Sequence, residues 1–182
     1  MIMCCVIKMV GGRRMKIILF YATKNPEAIK LIQHFNDKIK EKGHEVTLIE
    51  ANKYMQLNAS IDLSEPDTMY GFGISGLDEA SKREILCLAK MLKNRYVNKP
   101  AFIYSGTHKD FHKTKRQLHK ILKDKNFDVV ISQVKTYNLV EMEKVIERLH
   151  DVYRKYYLSK SRQRDKSILS CDICEVCTEK TE

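Results

Sequence analysis

Three short turns in this sequence carry residues that could bind a small anion. Each turn follows an apolar, strand-like run, and the residues concerned are Ala22, Thr23, Lys24, Asn25 and Pro26, then Ile74, Ser75 and Gly76, then Ser105, Gly106, Thr107 and His108. Hydroxyl groups, a lysine and the amide hydrogens of a helix start are groups that bind phosphate. In an open parallel sheet, ligands bind outside the carboxyl ends of the strands, where the strand order reverses. We therefore predict that the three turns converge on one anionic ligand.

A second candidate site lies near the carboxyl end of the chain, where Cys171, Cys174 and Cys177 have the spacing C-x2-C-x2-C. This spacing matches the first three cysteines of the bacterial ferredoxin run, whose thiolates bind an iron–sulfur cluster. The fourth cysteine and its proline do not follow in the sequence. Three alternatives stay open: a cluster whose fourth ligand is an external group or a cysteine of a second subunit, zinc on three thiolates, and a terminus without metal.

The glycines Gly71, Gly73 and Gly76 have the spacing G-x-G-x-x-G of a dinucleotide-binding fingerprint. They lie at the third predicted strand, whereas the fingerprint belongs on the first. The next predicted strand ends at Tyr104 without the acidic residue that the fingerprint requires. We therefore do not assign an NAD(P) site.

Three histidines, His108, His112 and His119, fall at nearly the same angle on one predicted helix. No carboxylate or thiol joins them on that face, and Lys115 lies among them, where it would repel a cation. We interpret them as the solvated edge of an amphipathic helix, with anion binding as the second choice.

The turns belong to a regular alternation of strands and helices that begins at Met15. The predicted strands are Lys16–Tyr21, His44–Glu50, Asp67–Gly73, Ala101–Tyr104 and Phe127–Val134. Asn25 and Pro26 predict the start of the first helix, and Gly43 its stop. A short second helix is predicted around Tyr54–Leu57, and the third should begin with a capping box that pairs Ser75 with Asp78. The fourth is predicted over about His108–Lys125. The last predicted helix has the buried stripe Val145, Leu149, Val152 and Tyr156.

Five strands joined by crossovers predict an α/β three-layer sandwich around a five-stranded parallel sheet. The length of 182 residues and the hydrophobic content of 43% suit one domain. We predict a domain over residues 15–158, an extension over residues 1–14, and a basic linker with a cysteine-containing tail over residues 159–182. Cys87, which has apolar neighbours, is predicted to be a small buried hydrophobe.

Composition excludes several classes of protein. No apolar run approaches the roughly 20 residues that span a bilayer, and the apolar N-terminal stretch precedes its basic residues, which is the reverse of a signal peptide. We therefore expect no membrane span and a cytoplasmic location, with the six cysteines reduced or bound to metal. The net charge of +10 indicates an anionic partner. No basic helix is interleaved with stacking aromatics, so nucleic acid is not the expected partner.

On these features the chain resembles a flavodoxin from Met15 to about Leu149. The resemblance depends on the strand order, the first turn, and the phrase Lys99-Pro-Ala-Phe-Ile-Tyr-Ser-Gly-Thr followed by a helix and Phe127-Asp-Val-Val-Ile. It implies a sheet of order 2-1-3-4-5, flavin mononucleotide (FMN) as ligand, and one- or two-electron transfer as activity. It also implies a redox partner, ferredoxin-like or acidic. Some flavodoxin-like proteins continue into a ferredoxin-like cluster domain.

The first turn departs from the pattern of the family, which is typically Ser/Thr-x-Thr-Gly-Asn-Thr. Thr23 and Asn25 match, but Lys24 stands at the glycine and Pro26 at the final threonine. The lysine adds charge but can obstruct the turn, and the proline lacks both a hydroxyl and an N–H.

For the flavin ring, the resemblance implies a place between residues 74–77 and 105–109, with Tyr104 or His108 able to stack on it and Phe111 and Tyr70 also near in sequence. Two hypotheses follow. The chain is an FMN-dependent electron carrier or oxidoreductase component rather than a stand-alone hydrolase or transferase, or it is a flavin-free α/β domain that binds an acidic partner.

Overall fold

In the computed structural model of this chain, the described residues are 14–56, 67–74, 78–92, 99–105, 111–135 and 142–158. Five parallel strands form one sheet: β1 (Lys16–Tyr21), β2 (Glu45–Glu50), β3 (Thr68–Ile74), β4 (Lys99–Ser105) and β5 (Phe127–Lys135). The helices are α1 (Pro26–Glu41), α2 (Ala51–Gln56), α3 (Glu79–Met91), α4 (Phe111–Asp124) and α5 (residues 142–158). The strand order is β2-β1-β3-β4-β5, which confirms the predicted sheet.

Two helical layers cover the sheet, because successive side chains of a strand point to opposite faces. On one face, α3 and α4 pack against Phe20, Tyr70, Phe72 and Ile103. On the other face, α1 and α5 pack against Leu19, Met69, Phe102 and Tyr104. The central strand β3 is buried at all of its positions, as a parallel strand covered on both faces should be.

Gly71 and Gly73 leave room for two aromatic rings of the neighbouring strand. A Cβ atom added to Gly71 would lie 2.6 Å from Cζ of Phe102, and one added to Gly73 would lie 2.5 Å from Cζ of Tyr104. The Tyr104 ring crosses β3, and its hydroxyl donates to the carbonyl of Phe20 on β1 at 3.0 Å. Packing across the sheet therefore explains these two glycines without a dinucleotide.

The start and stop signals of α1 lie where the sequence predicts them. Asn25 is the N-cap, Pro26 is the first helical residue, and Gly43 follows the helix with φ of 80°. For α3 the predicted capping box is wrong, because Asp78 is the N-cap and accepts a hydrogen bond from the Ser81 amide at 2.7 Å.

Two predicted burial patterns are also wrong. On α5 the fully buried residues are Met142, Ile146, Leu149 and Tyr153, whereas Val145, Val152 and Tyr156 are only partly buried. Tyr153 turns toward the sheet because its hydroxyl bonds to the Asp67 carbonyl, with an O···O distance of 2.7 Å. Cys87 is exposed, since it lies on the face of α3 opposite to Ile85 and Leu88.

The remaining elements begin and end within a few residues of their predicted bounds. In the part of the chain that the structure describes, no helix is both long and apolar enough to cross a membrane.

Candidate functional site at the carboxyl edge of the sheet

The carboxyl ends of β1, β3 and β4 lie side by side. Phe20 is paired with Phe72, and Ile74 is paired with Ser105. This edge includes the point between β1 and β3 where the strand order reverses, and α1 begins there directly after β1. The edge at which the three turns were expected to meet is therefore formed, and ligand binding there stays a prediction.

Of the residues predicted to bind this ligand, the structure describes those of the first turn, from Ala22 to Pro26, together with Ile74 and Ser105. Ile74 is the last residue of β3, and its side chain is buried against the layer of α3 and α4. Ser105 is described by its backbone, as the last residue of β4. Ser75, Gly76, Gly106, Thr107 and His108 lie outside the described residues.

The first turn is held by a network of its own hydrogen bonds. The buried Thr23 hydroxyl accepts from the Asn25 amide at 3.1 Å. The Asn25 side chain accepts through Oδ1 from the amides of Glu27 and Ala28, at 2.9 and 3.4 Å. Pro26 has no amide hydrogen. Most amide donors that a phosphate could use at the start of α1 are therefore used within the turn.

Several polar groups of the turn can still bind an anion without disturbing that network. They are the amides of Thr23 and Lys24, the hydroxyl hydrogen of Thr23, the Nδ2 hydrogens of Asn25 and the ammonium group of Lys24. Lys24 is exposed and stands at the positive end of the α1 dipole. The residues present therefore fit a phosphate group, with charge and side-chain donors in place of several amides.

Lys24 also lies near the start of α3. The Asp78 carboxylate accepts from the amide and the hydroxyl of Ser81, at 2.7 and 2.8 Å, and these bonds hold the pKa of Asp78 below its usual value. Lys24 lowers this pKa further through its positive charge. Because a carboxylate already occupies the positive end of α3, the start of α1 is the better place for a bound anion.

Two aromatic residues proposed as stacking partners of a flavin ring are not available at the edge. Tyr104 is fully buried beneath α1 and α5, and Tyr70 is fully buried on the opposite face, 5.5 Å from the ring of Phe127. The stacking roles of Tyr104 and Tyr70 are therefore wrong. His108 lies outside the described part, and for Phe111 only the backbone is described.

Tyr21 is an aromatic residue of this edge that the sequence analysis missed. It is the last residue of β1 and is partly exposed. Partial burial raises its pKa, and the nearby carboxylate of Glu50 raises it further. The only signal in the sequence was its position at the end of a strand.

A groove of about 750 Å³ lies beside this edge, between the N-terminal halves of α3 and α4. It is lined by Glu79, Lys82, Arg83, Leu86, His112 and Lys113, together with Thr114 and Gln117. The Lys82 ammonium group bonds to Glu79 at 2.9 Å, and this bond holds the pKa of Glu79 below its usual value. This groove is not apparent from the sequence, which shows only that α4 carries many cations.

Within the described ranges no three or more His, Cys, Asp or Glu side chains lie close enough together to hold a metal ion. Cys171, Cys174 and Cys177 lie outside these ranges, so their binding of a cluster stays a prediction.

Comparison with known proteins supports the fold. No protein-family model and no curated protein matches this sequence. Among solved structures, the oxidised flavodoxin 1 of Bacillus cereus is 14% identical to this chain with a TM-score of 0.53, over 77% of this chain and 97% of that one. A diflavin flavoprotein A3 from Nostoc sp. is 14% identical with a TM-score of 0.47, over 84% and 99%.

The observed strand order and the first of these likenesses identify the fold as flavodoxin-like. At 14% identity the likeness extends to the fold alone, so the ligand has to be argued from the residues of the site.

Proposed function

We propose that this chain binds FMN at the carboxyl edge of its sheet and acts as an electron-transfer flavoprotein. The observation that carries the proposal is the position of the α1 N-terminus and the exposed Lys24 at the strand-order reversal of a flavodoxin-like sheet. A bound FMN would supply one- or two-electron chemistry, while the chain provides binding and controls access.

In this proposal the first turn holds the phosphate. The Lys24 ammonium group and amide, the Thr23 hydroxyl and the Asn25 Nδ2 group donate to the phosphate oxygens. The ring lies between residues 74–77 and residues 105–109, with Ile74, Ser75 and Gly76 on one side and Ser105, Gly106, Thr107 and His108 on the other. A redox partner would approach this exposed edge.

The second candidate is a flavin-free domain that binds an acidic partner. The self-contained hydrogen bonding of the first turn favours it, because Asn25 caps α1 without any ligand and Pro26 withholds one more donor. A well-capped helix start is stable without an anion.

Flavin titration, followed by the quenching of flavin fluorescence, separates the two candidates. We expect FMN to bind the wild-type chain and riboflavin, which lacks the phosphate, to bind much more weakly. Lys24→Ala should reduce the preference for FMN by about 1.5–3 kcal/mol, the range for a hydrogen bond to a charged group. The matched control is Lys30→Ala on the exposed side of α1, which should leave both affinities unchanged.

Two further variants test how the turn departs from the family pattern. If Lys24 only obstructs the turn, Lys24→Gly should tighten FMN binding, and Lys24→Gly combined with Pro26→Thr should tighten it further. If no variant shows saturable quenching by FMN, the flavin proposal is refuted and the flavin-free candidate stands.

A further inference from the structure

Among the described helices, positive charge is concentrated in one helical layer. α4 carries five Lys or Arg residues and a single acid, Asp124. On the opposite face, α1 has three lysines and three acids, and α5 has four basic residues and three acids. The layer of α3 and α4 is therefore the face to which an anionic partner is attracted.

The groove between α3 and α4 places cations on both of its walls. Arg83 is exposed on the α3 wall, and its Nε–H donates to the Glu79 carbonyl at 3.4 Å. Lys113 is exposed on the α4 wall. Lys82 lies deeper, with only 11% of its side chain exposed, and Leu86 adds a partly buried apolar surface. A ligand that enters the groove therefore contacts positively charged side chains on both walls and the apolar surface of Leu86.

We propose that this groove docks an acidic segment of a partner protein, with Arg83 and Lys113 as the principal charged contacts. Carboxylates of the segment would pair with these cations, while an apolar side chain of the segment would contact Leu86. A nucleic-acid strand fits less well, because among the described lining residues only the His112 ring could stack on a base, whereas Leu86 offers an apolar surface to a peptide side chain.

The docking site goes beyond the proposed flavin function and does not depend on it. The groove lies between the first turns of α3 and α4, which follow β3 and β4 and so flank the carboxyl edge of the sheet. A partner held there is next to the proposed flavin position, which would suit a redox partner.

The test uses the full chain without added flavin and measures the fluorescence anisotropy of a labelled, glutamate-rich peptide. The variant Arg83→Glu with Lys113→Glu should weaken binding by about tenfold or more, since two attractive contacts become repulsive. The matched control is Lys30→Glu with Lys144→Glu, which changes the net charge equally on the layer of α1 and α5. This control should change binding by less than about twofold, and added salt should weaken the wild-type complex.

Several outcomes would overturn the proposal. Equal losses in the two double variants would show that only net charge matters. Tighter binding of a labelled single-stranded RNA than of the peptide, abolished by the Arg83 and Lys113 reversals, would make the groove a nucleic-acid site. If thermal unfolding shows that the charge-reversed variant is unstable, Arg83→Gln with Lys113→Gln replaces it, and unchanged peptide binding by that variant would refute the proposal.

Flavin titration of the same variants distinguishes this proposal from the flavin proposal. A chain that binds the peptide but no FMN supports the docking site and refutes the flavin function. A chain that binds FMN but no peptide supports the flavin function and refutes the docking site.

Discussion

At the scale of single residues, the side chains of β3 and β4 show how close packing restricts sequence. Gly73 has no Cβ because the Tyr104 ring fills that space, and the Tyr104 hydroxyl is bonded to Phe20 on the far side of β3. The ring is fully buried and its end is anchored, so it cannot move aside for a methyl group. The sequence showed the glycine spacing, but the ring that explains it comes from another strand.

Gly73→Ala should destabilise the fold by about 1–3 kcal/mol, the range for overpacking a well-packed core. Urea unfolding measures this change in the free energy of unfolding. Tyr104→Leu removes the ring, so the cost of Gly73→Ala measured in the Tyr104→Leu background should fall below its cost in the wild type. Equal costs in the two backgrounds would show that the ring is not the obstacle.

The first turn shows a similar limit at the site itself. The residue types Thr23, Lys24 and Asn25 indicated an anion site, and the structure places them at the strand-order reversal. The sequence could not show that Thr23 and Asn25 are already hydrogen-bonded to the turn, because that depends on side-chain rotamers. The bonding of these two residues determines how many donors remain for a phosphate.

At the scale of elements, hydrophobic periodicity predicted which helices and strands exist. It did not always predict where a helix begins or which of its residues face the core. Ser75 and Asp78 are both good N-cap residues, and only the Asp78 to Ser81 bond shows which of them starts α3. Leu86 and Leu88 flank Cys87, yet the helix turns Cys87 outward. Tyr153 and Tyr156 are both aromatic, and the bond to Asp67 selects Tyr153 for the core. Such choices depend on contacts between elements.

The turn from α1 to β2 meets α5 through two stacked histidines. The rings of His44 and His150 are 5.2 Å apart at an interplanar angle of 15°. Burial lowers the pKa of His44, and the nearby His150 and Lys42 lower it further. Glu147 on α5 faces the same turn, where it pairs with Lys42 at 3.3 Å.

The fold should therefore lose stability in mild acid. Because the pKa of His44 is lower in the folded state than in the unfolded chain, the unfolded chain binds its proton first as the pH falls below about 6.5. The stabilisation is complete above that pH and declines below it, toward the lowered folded pKa. His44→Gln should flatten the dependence of the melting temperature on pH between about 7 and 5. His34→Gln on α1 is the control, and an equal flattening there would contradict the assignment to His44.

At the scale of the whole molecule, the sheet order and the helical layers define a flavodoxin-like domain whose described part ends with α5 at Leu158. The buried contacts of α5, from Met142 to Tyr153, join the sheet and α1 in one cluster. The domain boundary near residue 158 stays a prediction. Residues 159–182, with their basic stretch and three cysteines, lie outside the described residues.

Deleting residues 159–182 should therefore leave the melting temperature nearly unchanged, because the core contacts of α5 are all retained. A fall of about 4 °C or more, which corresponds to roughly 1 kcal/mol in a domain of this size, would show that this segment packs on the core.

The same segment should determine metal content. Purified anaerobically with iron and sulfide, the full chain should retain iron through Cys171, Cys174 and Cys177, because thiolates at this spacing bind cluster iron. The deletion and a triple Cys→Ser variant of the full chain should both lack it. Because the triple variant changes only three side chains, it separates thiolate ligation from any other effect of the deletion. Equal iron and sulfide in the wild-type chain and the triple variant would mean that these cysteines hold no cluster, and zinc on three thiolates or a terminus without metal would then be the remaining alternatives.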